Sequence, residues 1–127
     1  MVIDSDVIIR FFTNDDKKKA ARFRKFLMSK KKGYVSDVTV AEIYWTLKLF
    51  YRYSKEKIIE LIESLIESSS IKCNRKVLRE CLRILREKNI SFIDAHTAAW
   101  SSIKDDGKIL SFDRDFDKFS LVKRVEP

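Results

Sequence analysis

Apolar residues recur along this chain in two rhythms, short unbroken runs and longer stretches at helical spacing. The runs read as buried strands and the spaced stretches as amphipathic helices. Val2-Ile3 predicts a short strand, after which "DSDVIIRFF" opens a helix with Asp4 or Ser5 as its cap. Residues 15–31 predict a basic helix with Ala20, Phe23 and Leu27 on its apolar side. "GYVSD" predicts a strand around Tyr34 to Ser36, and Thr39 is the expected cap of a helix burying Val40, Ile43, Leu47 and Phe50. Ser54 opens the next helix, in which Ile58, Leu61, Leu65 and Ile66 keep the period. "SIKC" at 70–73 is a strand, 75–88 and 92–104 are two more helices, "KILSF" is a strand, and Leu121 to Val125 is the last. Short apolar strands alternating with helices imply a parallel sheet covered on both faces. The expected class is therefore α/β, a three-layer α/β/α sandwich with a central parallel sheet, in a single domain over 1–127.

Charge sharpens this picture. Lys and Arg number 27 against 19 for Asp and Glu, a net charge of +8. Such a surface favours a polyanion such as nucleic acid. Heat adaptation accounts for it equally well, because charged residues make up 36% of the chain, Gln is absent and Asn occurs three times. Cys73 and Cys81 form no CxxC pair, and with His96 as the single histidine a structural zinc site is excluded. Both cysteines are expected to be reduced and partly buried. The start "MVIDSDVII" has no signal-peptide pattern, and no apolar run is long enough to span a bilayer, so the expectation is a cytoplasmic protein without a membrane partner.

The stretch "SFDRDFDKF", Ser111 to Phe119, places Asp113 at a junction between strand and helix, with Phe112, Phe116 and Phe119 at helical spacing. Asp4 stands at a similar junction, and in open parallel sheets ligands collect at the carboxyl ends of strands. Glu42 in "VAEIYW" and Asp94 in "SFIDAHTAAW" are acids in apolar surroundings, where an unpartnered carboxylate is costly to bury. Each has a plain structural account: Asp4 as an N-cap, Asp94 as a partner of the helix dipole, Glu42 as a lysine's partner. Should the four converge, they need a cation among them. Oxygen-only ligands then point to Mg²⁺ or Mn²⁺ rather than zinc.

"VIDSDVII", "VAEIYW", "FIDAHTAAW" and "SFDRDFDKF" together resemble the four acidic motifs of PIN domains, especially VapC-type toxin ribonucleases of type II toxin–antitoxin systems. The resemblance runs through nearly the whole chain, with the motifs in family order. It implies a PIN-like fold and a metal-dependent endoribonuclease acting on single-stranded RNA, with a VapB-type antitoxin and a homodimer as further expectations. By the same resemblance Asp4, Glu42, Asp94 and Asp113 hold Mg²⁺ or Mn²⁺, and Ser111 orients the site. Asp6 stands where Asn or Ser is more usual, and Asp115 at times joins the family's site. His96, two residues after Asp94, points away from it on a helix and is expected to have a surface or packing role rather than a catalytic one, and Asp117 is expected to be solvated.

Arg10, Lys48, Arg52 and Arg114 are candidates to contact RNA phosphates at the rim. "YWTLKLFYRY", Tyr44 to Tyr53, carries five aromatics, some for the core and the rest for a dimer contact. Two rival readings remain open. "VIDSDVI" also imitates the nucleophile motif of haloacid-dehalogenase-type phosphatases, although two glycines are too few for that family's loops. The other rival is a catalytically silent PIN-like module that binds RNA or serves as a scaffold.

Overall fold

Asp4 ends the first extended segment and starts the first helix, its carboxylate accepting the Asp6 N–H. Hydroxyl or carboxylate caps of this kind satisfy N–H groups that the first turn leaves without partners. They recur at Asp16, Ser36, Ser54 and Ser91. The computed structural model describes residues 1–127. Within it the chain packs as two units, Met1–Arg75 and Lys76–Pro127.

The first unit holds helices α1 (Ser5–Thr13), α2 (Lys17–Leu27), α3 (Asp37–Leu49) and α4 (Lys55–Ile66). Strands β1 (Gly33–Tyr34) and β2 (Ile71–Lys72) pair in parallel, Gly33 opposite Ile71 and Tyr34 opposite Lys72. Val2 joins Tyr34 through a parallel bridge, so the N-terminal segment extends this edge. Gly33 is required here, because a Cβ would collide with the Ile3 side chain. Ile8, Val35, Val40, Ile43, Leu47, Ile58, Ile59, Ile62 and Ile66 are fully enclosed. Truncating one such isoleucine to alanine costs about 2–5 kcal/mol.

The second unit is built from α5 (Arg75–Glu87), α6 (Phe92–Lys104), β3 (Lys108–Leu110), a 3-10 helix (Arg114–Lys118) and β4 (Lys123–Val125). Strands β3 and β4 pair in parallel, Ile109 opposite Arg124. Gly107, at φ 76, makes the turn into β3, and its carbonyl accepts the Lys123 N–H at 2.6 Å. Leu78, Leu82, Leu85 and Phe92 are enclosed, with Ala95, Ala98 and Ala99 giving α6 a narrow buried face.

The α/β architecture with parallel strands is as the sequence implies, its pairing carried by one two-stranded parallel sheet in each unit. Helix α6 spans the expected 92–104, and Ser54 caps α4 as expected. Three expectations need correction. Ser36, not Thr39, caps α3; the Thr39 hydroxyl lies 3.0 Å from that of Ser36, one turn in. Phe50 is 79% exposed, because it falls at the helix end where the buried stripe has run out. Phe112 is 74% exposed, since the segment after β3 does not become helical until Arg114, leaving Phe116 and Phe119 as the anchors. No disulfide is assigned to Cys73 or Cys81, and no helix is long and apolar enough to cross a membrane.

Candidate active site

The four motif acids stand at or near helix starts; three are set by local turns, and Glu42 by a bond between helices. In the first unit, Asp4 Oδ2 accepts the Asp6 N–H at 3.1 Å. The next residue, Ser5, is buried, and its hydroxyl donates to Glu42 Oε1 at 2.8 Å. This bond joins the start of α1 to the second turn of α3, across 37 positions of sequence. A buried hydroxyl has to find a partner, and here the partner is a carboxylate. Glu42 is thereby tied to the residue beside Asp4. The plain account of Glu42 as a lysine's partner fails: Glu42 forms no ion pair, and neither does Asp4.

In the second unit the acids are placed by local turns. Ser111 Oγ accepts the Asp113 N–H at 2.9 Å, and Asp113 Oδ1 accepts the Asp115 N–H at 2.9 Å. Asp113 is thus the cap of the 3-10 helix, with its own N–H bonded to the Ser111 hydroxyl. Asp94 lies in the first turn of α6, its N–H donated to the Ser91 hydroxyl at 3.1 Å. Neither Asp94 nor Asp113 pairs with a cation. Each plain account of Asp4, Asp94 and Asp113 as a cap or first-turn residue is thus satisfied. A cap, however, uses one oxygen and leaves the other exposed.

The neighbouring acids behave differently. Asp6 faces Arg10 at 3.2 Å, one turn along α1, and Asp115 faces Lys118 at 3.3 Å. Asp117 is exposed, as expected, and is also paired. Arg124 reaches it with two nitrogens, Nε to Oδ1 at 3.0 Å and Nη2 to Oδ2 at 3.2 Å. These bonds hold the Asp117 carboxyl below its ordinary value, the Arg124 hydrogen bond being the leading cause. Arg124 also donates to the Ser111 carbonyl at 3.0 Å, which ties β4 to the segment carrying Asp113.

Of the four cations proposed to meet RNA, Arg10 is committed elsewhere. Its guanidinium is shared between Asp6 at 3.2 Å and Asp15 at 3.5 Å. Asp15 in turn accepts from the Tyr51 hydroxyl at 3.1 Å. Burial first, and this bond second, push the Tyr51 phenol above its ordinary value. Lys48 and Arg52 are exposed, Lys48 lying 5.9 Å from the Tyr44 ring centre and Arg52 in a left-handed turn at φ 56. Arg114 is exposed at the start of the 3-10 helix. His96 lies beside Phe92 and Trp100, ring centres 6.2 and 6.1 Å away.

The donor chemistry suits a hard divalent ion, because the acids offer oxygen alone and no cation competes for them. As the side chains stand, no group of three or more His, Cys, Asp or Glu residues is arranged to hold a metal ion. Among the four acids, Glu42 is joined through Ser5 to the segment that carries Asp4. Sequence reading missed Ser5 as the connecting residue, considering it only as a cap. A small polar residue followed by the buried stripe of α1 was the available signal.

Comparison with known proteins agrees with the motifs. The chain is similar to a VapC ribonuclease of Aquifex aeolicus (strain VF5), 22% identical over 130 residues that cover 99% of this chain and 96% of the relative. The family model described as "PIN domain" matches residues 1–121, which takes in all four acids, the whole first unit and the second as far as Leu121. The chain belongs to the PIN domain family.

Proposed function

We propose that this PIN domain is a Mg²⁺- or Mn²⁺-dependent endoribonuclease that cleaves single-stranded RNA in the cytoplasm, as the toxic member of a VapBC-type toxin–antitoxin pair. The observation that carries the reading is that all four motif acids are present and none is spent on an ion pair, in a chain with 27 Lys and Arg. A silent module would be free to lose one of them or to pair it. The name of the Aquifex aeolicus relative supports the ribonuclease class.

In this reading Asp4, Glu42, Asp94 and Asp113 hold the ion. A bound Mg²⁺ or Mn²⁺ supplies Lewis-acid contact to phosphate oxygens and lowers the pKa of its water. The chain's own contribution is positional. Ser5 fixes the Glu42 carboxylate, and Ser111 fixes the turn that presents Asp113. Asp6 and Asp115 shape the same turns but keep their charges on Arg10 and Lys118, which makes them supporting residues. Lys48, Arg52 and Arg114 remain as cations for the RNA backbone. Exposed Trp45, Leu49 and Phe50 give α3 and its end an apolar surface suited to a homodimer contact. A small VapB-type antitoxin is the expected protein partner.

The test is cleavage of single-stranded RNA by purified protein with Mg²⁺ or Mn²⁺, repeated with EDTA. Cleavage that needs the metal is expected. EDTA-resistant cleavage, or none with either ion, contradicts the reading.

A further inference from the structure

Beside Asp4, within the first unit, lies a cleft of about 590 Å³ that runs from the first acidic motif to α2. Its size suits one small ligand or one residue of a polymer. The N-terminal segment and α1 form one wall and α2 the other, and the lining divides by chemistry. Val2, Val7 and Phe26 give apolar surface, Lys19 and Arg22 stand on the α2 side, and Asp4 is part of the lining too. Val2 and Val7 are exposed and Phe26 is half-buried, so this apolar surface faces solvent.

The two cations are not equivalent. Lys19 has Asp16 at 4.0 Å. Arg22 is exposed and has neither a carboxylate partner nor an aromatic one. Its neighbours on α2, "KKKAARFRK", make that helix the most basic segment of the chain. On the opposite wall Arg10, which also lines the cleft, is neutralised by Asp6 and Asp15. The uncompensated positive charge therefore sits on α2, next to a ring. Phe26 stacks parallel to Phe23, at 10° and 5.7 Å between centres, which fixes its orientation.

We propose that this cleft is a nucleotide subsite of the RNA substrate, adjoining the scissile position. One base packs against Phe26 and Val2, and its phosphate is held by Arg22 with help from Lys19. The inference rests on the ribonuclease reading and deepens it, naming where a nucleotide beside the cut is gripped. Ring stacking plus a cation on the backbone is how single strands are held. The charge pattern favours RNA over a protein segment, since the free cation has no acid within the chain to satisfy it. A base packed in a shaped cleft also biases where the enzyme cuts.

The test uses a short fluorescein-labelled single-stranded RNA for affinity and a random-sequence RNA pool for cleavage positions, with full-length protein. Arg22→Gln is at an exposed site and should fold normally. It should weaken RNA binding about tenfold and flatten the slope of log affinity against log salt by about 0.7. Phe26→Leu keeps an apolar group in place but removes the stacking face. It should weaken binding about fivefold or more and change the base preference beside the cut. Should Phe26→Leu fail to fold, Arg22→Gln alone decides. Wild-type protein that cleaves RNA, with both folded variants binding and cutting at the same positions as it does, overturns the subsite and leaves the ribonuclease reading standing. Unchanged RNA affinity together with lost antitoxin binding would assign the cleft to a protein segment and equally overturn it. Wild-type protein that neither binds nor cleaves RNA removes both.

Discussion

The two units do not place all their acids by the same means. In Met1–Arg75, Glu42 is reached through the Ser5 hydroxyl, a contact between elements far apart in sequence. In Lys76–Pro127, Asp94 and Asp113 are set by serines two or three residues before them. A tertiary contact forms only when its unit has folded, and it depends on the packing of α1 against α3. A local turn depends on little beyond its own residues. The first unit should therefore transmit damage in its core to its acids, and the second should keep its turns after much of its core is disturbed.

The largest effect should follow from losing a motif acid in either unit. Asp4→Asn and Asp113→Asn keep size and the capping oxygen but remove a charge. Each should lower RNA cleavage by about a hundredfold or more, as loss of a group acting at the transition state does. Melting temperatures should stay near wild type. An unequal pair, one inactive and one fully active, would confine the chemistry to one unit.

The serines give a smaller and asymmetric effect. Ser5→Ala removes a hydrogen bond to a charged partner and leaves a small space in a buried position, so it should cost about 1–2 kcal/mol of stability. It should also reduce cleavage about tenfold by freeing Glu42. Ser111→Ala loses a bond to an exposed N–H that water can replace, and should cost about 0.5 kcal/mol. Denaturant unfolding and cleavage assays on the two variants read the comparison directly. Equal losses would erase the distinction between tertiary and local placement.

The smallest effect concerns Asp117. Its folded pKa lies below the ordinary 3.8 because Arg124 donates to the ionised form. A group depressed in this way adds stability that is present above the unfolded pKa and is lost as pH falls through the folded pKa. Asp117→Asn should thus melt slightly below wild type at neutral pH, with the gap closing in the acid range below about 3.8. The pair is exposed, so the gap should be small. A gap that widens on acidification would contradict the assignment.

Much of this was legible in the sequence, and what was not shares a physical cause. Helical periodicity located α6 to the residue and found the buried stripe of α3, because the core imposes that period. It misjudged Phe50 and Phe112, because periodicity describes a face and does not say where the core stops covering it. Ser36 and Thr39 both carry a hydroxyl one turn apart, and the pattern pointed to Thr39, the wrong one of the two. The motif acids were legible from their order. The Ser5–Glu42 and Asp117–Arg124 contacts were not, since each joins separate elements and leaves no local periodic trace.

The central proposal is that the four motif acids serve one reaction. The most direct measurement is a double-mutant cycle on RNA cleavage with Mg²⁺, using Asp4→Asn, Asp113→Asn and the two combined. Residues acting as a unit lose their function together, so the combined variant should be no less active than the weaker single variant. If the two losses multiply, Asp4 and Asp113 act independently and the single-site account is wrong.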